Sequence, residues 1–198
     1  MTTAVRPALD WDADGLAQRV VDLIVDVPDH PEPGVLFRDV TPVLADAEAF
    51  AAVATELAAL TGDADVVVGI EARGFLLGAA VALVAGTGVV PVRKAGKLPR
   101  VAASRTYRLE YGTATLELPA DTVRPGARVF VVDDVLATGG TAAAACDLVT
   151  GAGAVVTGVG VLLELTAFGG RARLAGALGD GPGDGPGDGR VHALLYAG

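Results

Sequence analysis

Cysteine and aromatic residues are both scarce in this chain of 198 residues. The single cysteine, Cys146, excludes a disulfide within the chain, so a reducing compartment is the natural expectation. Only 5% of the residues are aromatic although 52% are hydrophobic, so alanine, valine, leucine and glycine must fill the interior. Small side chains suit close packing of helices on a sheet, which favours one layered α/β domain.

Positive charge is scarce as well. There are 15 lysines and arginines against 24 aspartates and glutamates, which gives a net charge of −9. A protein that binds nucleic acid through surface electrostatics needs a basic footprint, so we expect no nucleic-acid partner. A small polyanionic ligand needs only a local basic cluster, and the composition leaves that class of ligand open.

The sequence also lacks a clear membrane-spanning or targeting segment. Residues 74–92 carry no charge and are almost long enough to span a bilayer, but Gly86-Thr87-Gly88 and Pro91 divide them. We expect a buried helix followed by a buried strand there. The first thirty residues contain no uninterrupted apolar region of the signal-peptide type. The sequence therefore predicts a cytoplasmic protein without a membrane partner.

Short β-branched runs alternate with helical patterns along the chain. This alternation implies βαβ crossovers and a central, mostly parallel sheet flanked by helices. The apolar spacing over residues 16–27 predicts an N-terminal helix, and the irregular basic segment 94–108 predicts a flexible loop. Residues 106–111 and 114–118 resemble a hairpin around Gly112-Thr113. Residues 179–189 repeat Gly-Asp-Gly-Pro and are expected to be a surface insert without chemistry. The buried strands are predicted at 65–70, 89–93, 128–133 and 155–165, and a final strand at 191–196.

A turn suited to phosphate binding follows the strand at 128–133. The strand ends in Asp133 and Asp134, passes through a short loop of small residues and enters a predicted helix at Thr141. Ligands bind beyond the carboxyl ends of the strands in open α/β sheets, and a helix N-terminus offers free N–H groups to a phosphate. The two acids can accept hydrogen bonds from vicinal ribose hydroxyls.

Residues 129–141 resemble the motif that binds 5-phosphoribosyl-1-pyrophosphate (PRPP) in type I phosphoribosyltransferases. The resemblance implies the type I fold, with a small N-terminal hood formed by residues 28–40 and the strand 191–196. It also implies contacts to the ribose and 5′-phosphate from Asp133, Asp134, Ala137, Thr138, Gly139, Gly140 and Thr141.

Further stretches resemble the adenine-specific members of that family. Residues 33–39 are similar to the hood segment over the base, and residues 161–166 to the stretch that completes the base pocket. The resemblance implies base contacts from Leu36, Phe37, Arg38 and Leu162.

Residues 69–75 and 93–100 resemble the family's pyrophosphate-binding segments, although Glu71-Ala72 stands where the family tends to have an aspartate and a small residue. Residues 93–108 hold six of the 15 basic residues and no acid, as a local funnel for a polyanion requires. In the family, the lysine that corresponds to Lys97 reaches into the neighbouring subunit's site. Residues 109–112 resemble the family's mobile catalytic loop and its flanking strand. The implied pyrophosphate contacts are Ala72, Arg73, Arg93, Lys94, Lys97 and Tyr111, and the implied catalytic residues are Glu110, Arg73 and Lys97.

The resemblance implies transfer of the phosphoribosyl group from PRPP to adenine, with Mg²⁺ bound mainly through the substrate, no dedicated metal ligands in the protein, and a homodimer. Hypoxanthine and guanine are disfavoured because their enzymes carry an acid where this motif has Ala137. Orotate is disfavoured because the hood segment is hydrophobic. Xanthine stays open, since Arg38 could meet its 2-oxo group. A PRPP-sensing regulator without turnover is the alternative from another class of protein.

Overall fold

The strands form one large and one small sheet in the computed structural model, which describes residues 5–7, 15–108, 112–178 and 187–198. The strands are β1 (Arg6–Pro7), β2 (Val25–Pro28), β3 (Leu36–Asp39), β4 (Val66–Ile70), β5 (Gly88–Lys94), β6 (Val101–Arg108), β7 (Thr113–Pro119), β8 (Arg128–Leu136), β9 (Val155–Leu165) and β10 (Val191–Ala197). The helices are α1 (Leu16–Asp22), α2 (Thr41–Ala45), α3 (Ala47–Ala59), α4 (Arg73–Ala85), α5 (Gly140–Gly151) and α6 (Gly170–Leu178), with 3₁₀ turns at Thr166–Phe168 and Gly187–Arg190.

The large sheet has the strand order β1-β10-β9-β8-β4-β5-β7-β6. Its central strands β10, β9, β8, β4 and β5 are parallel, while β1 and the β6–β7 hairpin are antiparallel to their neighbours. The α/β fold with a mostly parallel sheet, predicted from the alternation of strands and helices, is confirmed. No helix within the described ranges is both long and apolar enough to cross a membrane.

Strand β8 shows how both faces of the sheet are covered. Val129 and Val131 point to one face and pack with the alanine-rich helix α5, whereas Phe130 and Val132 point to the other and pack with α3 and α4. This is the period of two expected of a strand buried on both sides. The ring of Phe130 needs glycines beside it, because a Cβ at Gly160 would lie 2.8 Å from its Cε1 atom.

Three expectations for individual segments are wrong. Residues 191–196 belong to β10 in the large sheet and not to the hood, because β10 pairs with β9 and buries apolar side chains on both faces. Residues 101–108 form strand β6 rather than a loop, since they pair with β7 over their whole length. Helix α1 ends at Asp22 because residues 25–28 pair with β3 to form the two-stranded hood sheet.

A largely buried ion pair fastens helix α6 to the sheet. The Glu164 carboxylate on β9 is only 5% exposed and accepts hydrogen bonds from Arg171, including one of 3.0 Å from Nε. The Arg171 guanidinium also donates to the carbonyl oxygen of Val191 and to the Tyr196 hydroxyl on β10. One arginine thus joins α6, β9 and β10, which fixes the start of α6.

Substituting Arg171→Met should lower the free energy of unfolding by about 3–5 kcal/mol, because it leaves the buried Glu164 carboxylate without its cation. Urea denaturation measures this loss. The control is Arg100→Met, which breaks an ion pair with Asp121 whose side chains are 69% and 75% exposed and should change stability little. Equal stability of the two variants would contradict the role assigned to Arg171.

Candidate functional site

The candidate site lies where the carboxyl ends of β4, β5 and β8 meet the N-termini of α4 and α5. Three cavities adjoin there, with volumes of about 430, 420 and 100 Å³. Thr141 lines all three, and Arg73 lines the two larger ones. We call them the apolar, the polar and the cradle cavity. Their position is the one that the topology of a parallel sheet predicts for a ligand.

The cradle cavity surrounds the N-terminus of α5. The first N–H groups of a helix have no acceptor within it, and the helix dipole favours an anion there. Six of the seven residues predicted to contact the ribose and 5′-phosphate line the cradle, and the seventh, Asp134, lines the neighbouring polar cavity. These lining residues are Asp133, Ala137, Thr138, Gly139, Gly140 and Thr141.

Close backbone contact explains two glycines of the cradle. Gly139 precedes α5 with φ of +74°, a conformation that residues with a Cβ atom rarely adopt. A Cβ there would also lie 2.7 Å from the carbonyl oxygen of Gly170. A Cβ at Gly170 would in turn lie 2.1 Å from the carbonyl oxygen of Ala137. Gly170, the first residue of α6, therefore packs directly against the backbone of the cradle loop.

The two acids at the end of β8 are both buried, and their environments differ. Burial, followed by the charge of Asp134, raises the pKa of Asp133 well above its usual value. The backbone N–H of Asp134 donates to Asp133 Oδ1 at 2.9 Å, and Arg73 Nε donates to Asp134 Oδ2. A Cβ at Gly74 would lie 2.9 Å from Asp133 Oδ1, so only glycine lets α4 approach this closely.

The apolar cavity brings together the predicted base-binding residues of the hood, Leu36, Phe37 and Arg38. The Arg73 guanidinium lies 5.5 Å from the centre of the Phe37 ring. Arg38 is only 8% exposed, and its Nε donates to Asp26 Oδ1 across the hood sheet at 3.2 Å. The cavity thus offers apolar walls and an aromatic ring, with the Arg38 cation already bonded to an acid.

Leu162 lies elsewhere than the sequence predicted. It is fully buried in the core that packs against α3 and α4, and it does not line the apolar cavity. The cavity is completed instead by Leu165, the last residue of β9, and by Phe168 in the 3₁₀ turn that follows. The rule that ligands meet strand ends could have indicated Leu165, because it closes the predicted strand 155–165.

The polar cavity contains Ala72, Arg73 and Lys94 of the predicted pyrophosphate contacts. Arg93 and Lys97 do not line it, and both form ion pairs with Glu71, which does. The Glu71 side chain is 8% exposed, and its Oε2 accepts a hydrogen bond of 3.0 Å from the Lys94 N–H group. Burial alone would raise the pKa of Glu71, but bonds from Lys97 and the Lys94 N–H, with the charges of Lys97 and Arg93, lower it.

Sequence reasoning missed both Glu71 and Tyr107 as site residues. Tyr107 on β6 lines the polar cavity, and its hydroxyl is hydrogen-bonded to the Thr141 hydroxyl at 3.2 Å. Only the pairing of β6 with β7 brings this tyrosine over the cradle, and no local pattern showed it. Glu110 and Tyr111, the predicted proton-transfer group and PRPP contact, lie outside the described residues.

The described residues contain no group of three or more histidine, cysteine, aspartate or glutamate side chains arranged to hold a metal ion. Asp133, Asp134 and Glu71 do share the polar cavity, but Arg73 binds Asp134 and Lys97 binds Glu71. Two of the three acids in the polar cavity are therefore paired with a cation.

Substituting Gly139→Ala should weaken the binding of PRPP by at least about tenfold, since the added Cβ forces the cradle away from Gly170. Isothermal titration calorimetry with PRPP and Mg²⁺ measures the change. Gly151→Ala is the matched control: it lies at the other end of α5, and its added Cβ would meet nothing within 4 Å. Wild-type affinity in the Gly139→Ala variant would show that the cradle does not hold the ligand.

Comparisons with known proteins agree with this geometry. The family model described as "Phosphoribosyl transferase domain" matches residues 42–171. The adenine phosphoribosyltransferase of Saccharopolyspora erythraea is 59% identical over 174 residues, which are 88% of this chain and 94% of that protein. That of Streptomyces coelicolor is 56% identical over 170 residues, covering 85% of this chain and 93% of that protein.

Solved structures show the same fold. The adenine phosphoribosyltransferase of Rhodothermus marinus superimposes with a TM-score of 0.78 at 43% identity, covering 91% of this chain and 98% of that one. The enzyme of Giardia lamblia, complexed with 9-deazaadenine, superimposes with a TM-score of 0.80 at 35% identity, covering 91% and 97%. The chain therefore belongs to the type I phosphoribosyltransferase family, among the adenine phosphoribosyltransferases.

Proposed function

We propose that this protein transfers the 5-phosphoribosyl group from PRPP to adenine, giving AMP and pyrophosphate, and so salvages the free purine. The observation that carries the proposal is the junction of three cavities around Arg73 and Thr141: an apolar one, a polar one and a phosphate cradle. The apolar cavity suits a flat base, the polar cavity suits a pyrophosphate group, and the cradle suits the phosphate of ribose 5-phosphate. Close relatives that bear the name adenine phosphoribosyltransferase support the same reaction.

The apolar cavity favours adenine over oxidised purines. Arg38 was the candidate partner for the 2-oxo group of xanthine, but its guanidinium is buried and bonded to Asp26. Ala137 lines the same cavity and cannot exchange a proton with hypoxanthine or guanine. The remaining walls include Val35, Phe37 and Leu165, which suit an uncharged aromatic ring.

The reaction separates charge, and the polar cavity is built to accept the negative part. Cleavage of the bond between C1′ and the pyrophosphate oxygen leaves positive charge on the ribose and negative charge on the departing pyrophosphate. Arg73 and Lys94 line the cavity that would hold the leaving group and stabilise its charge. The α5 N–H groups, Thr138 and Thr141 would hold the 5′-phosphate, and Asp133 and Asp134 the ribose hydroxyls.

Water must be kept from the ribose cation, and the β6–β7 hairpin is the element placed to exclude it. Tyr107 holds this hairpin to the cradle through its bond to Thr141, and Arg105 binds Asp147 on α5 at 2.7 Å. The base must also lose a proton when it forms its new bond. Glu110 stays the predicted acceptor for that proton.

The donor groups of the polar cavity fit Mg²⁺ that is bound mainly by its substrate. Mg²⁺ keeps several waters and takes one or two carboxylates together with phosphate oxygens. Asp133 and Asp134 are the carboxylates that would face it, and the bond from Arg73 to Asp134 limits direct ligation. When bound, the ion would neutralise the developing charge of the pyrophosphate.

An exposed apolar face on α4 supports a homodimer. Leu76, Leu83 and Val84 lie at helical spacing on one side of the helix and are 55%, 82% and 53% exposed, and Val89 on β5 adds a fourth exposed apolar side chain. A second copy of this chain, which presents the same face, is the occupant we propose. The cytoplasmic location stays a prediction of the sequence.

Pyrophosphate release from PRPP and Mg²⁺, measured separately with adenine, hypoxanthine, guanine, xanthine and orotate, tests the function. We expect turnover with adenine, weak or no turnover with the other bases, and loss of activity after chelation of Mg²⁺. Faster turnover of another base would overturn the assignment of the apolar cavity. PRPP binding without turnover of any base would favour the regulatory protein.

The dimer is tested by Leu83→Glu, which places a charge at the most exposed apolar side chain of α4. Sedimentation velocity should show a dimer for the wild type and a shift to monomer for the variant, because burial of an unpaired carboxylate opposes association. Val101→Glu, at a 43% exposed valine on β6, is the control and should stay dimeric. A monomeric wild type, or a Leu83→Glu variant that remains dimeric, contradicts the proposed face.

A further inference from the structure

A carboxylate occupies the wall of the cavity that is proposed to take pyrophosphate. Glu71 lies between β4 and α4, lines the polar cavity and is 8% exposed. Its two oxygens have different partners. Oε2 accepts the Lys94 N–H at 3.0 Å and lies 3.5 Å from Arg93 Nε, whereas Oε1 accepts from the Lys97 ammonium.

The position of this acid conflicts with the charge of the proposed ligand. Two negative groups a few ångströms apart repel each other, and the repulsion is stronger in a partly buried site than in water. Glu71 remains ionised at neutral pH because bonds from Lys97 and the Lys94 N–H outweigh its burial and lower its pKa. Its charge therefore opposes pyrophosphate binding, and its bond to Lys97 occupies a cation that the pyrophosphate needs.

We propose that Glu71 is a built-in counter-ion for Lys97: it holds the ammonium beside the polar cavity and competes with pyrophosphate for it. Glu71 is thus a positioning residue, and it limits how tightly the pyrophosphate group is held. The inference rests on the proposed function, because it takes the polar cavity as the pyrophosphate site. It deepens that function by assigning a role to an acid that lines the site and carries the same sign of charge as the proposed ligand.

The two oxygens of Glu71 separate this role from mere support of the backbone. The bond to the Lys94 N–H holds the start of the turn after β5, and a glutamine at position 71 keeps a neutral acceptor for it. The bond to the Lys97 ammonium depends on charge. Glu71→Gln therefore releases Lys97 while the turn keeps its backbone bond.

The experiment is calorimetric titration of the full-length protein with magnesium pyrophosphate at low salt, for the wild type, Glu71→Gln, Lys97→Met and the double variant. We expect Glu71→Gln to lower the dissociation constant by about threefold or more, because one repulsion is removed and one cation is released. The gain should be clearly smaller when Lys97 is absent. Tighter binding is an effect that loss of a structural contact would not produce.

Glu117→Gln is the matched control, since Glu117 accepts the Gly96 N–H of the same turn at 3.1 Å. It should change pyrophosphate affinity less than twofold, and thermal unfolding checks that every variant is folded. Unchanged or weaker binding in Glu71→Gln, or equal gains with and without Lys97, overturns the role of Glu71 alone. If the wild type binds no pyrophosphate, or Lys97→Met binds it as tightly as the wild type, the proposed pyrophosphate site itself is wrong.

Discussion

The close approach of three backbones around the carboxyl end of β8 is the constraint on which the site depends. Gly74 lets α4 touch Asp133, and Gly139 and Gly170 let the start of α6 touch the cradle loop. A Cβ atom at any of these three glycines would clash with the neighbouring backbone or side chain and force the two segments apart. The helix N-termini of α4 and α5 are thereby brought to one point, and the three cavities can adjoin.

Arg73 lies where these elements meet, and its side chain contacts both the hood and β8. It is the first residue of α4, and its guanidinium reaches both the Phe37 ring in the hood and the Asp134 carboxylate on β8. The proposed base and pyrophosphate positions therefore meet at one side chain. In the proposed reaction, a cation at this junction would lie near the bond that breaks and could stabilise the charge that develops there.

The sequence predicted the parts of the site that are contiguous and missed those that depend on tertiary pairing. Residues 133–141 form a strand, a turn and a helix start in succession, so local chemistry was sufficient to locate the cradle. Tyr107 enters the site only through the register of β6 against β7. Leu165 replaces Leu162 because the apolar cavity lies at the carboxyl end of β9, whereas Leu162 is fully buried within the strand. The strand β10 was assigned to the wrong unit because its hydrophobic pattern fits any buried strand.

Ion pairs between cations and carboxylates of the same chain explain how an acidic protein can contain a site for a polyanion. Arg73, which lines the polar cavity, is bonded to Asp134, and Lys97 beside the cavity is bonded to Glu71. Unpaired cations in a half-buried cavity would repel one another and cost desolvation energy, so internal acids stabilise the site before a ligand binds. A ligand must then replace those acids, and its affinity reflects the difference between two sets of ion pairs rather than the number of cations. A small difference between these two sets of ion pairs suits an enzyme that has to release pyrophosphate in every cycle, because product that is bound too tightly limits turnover.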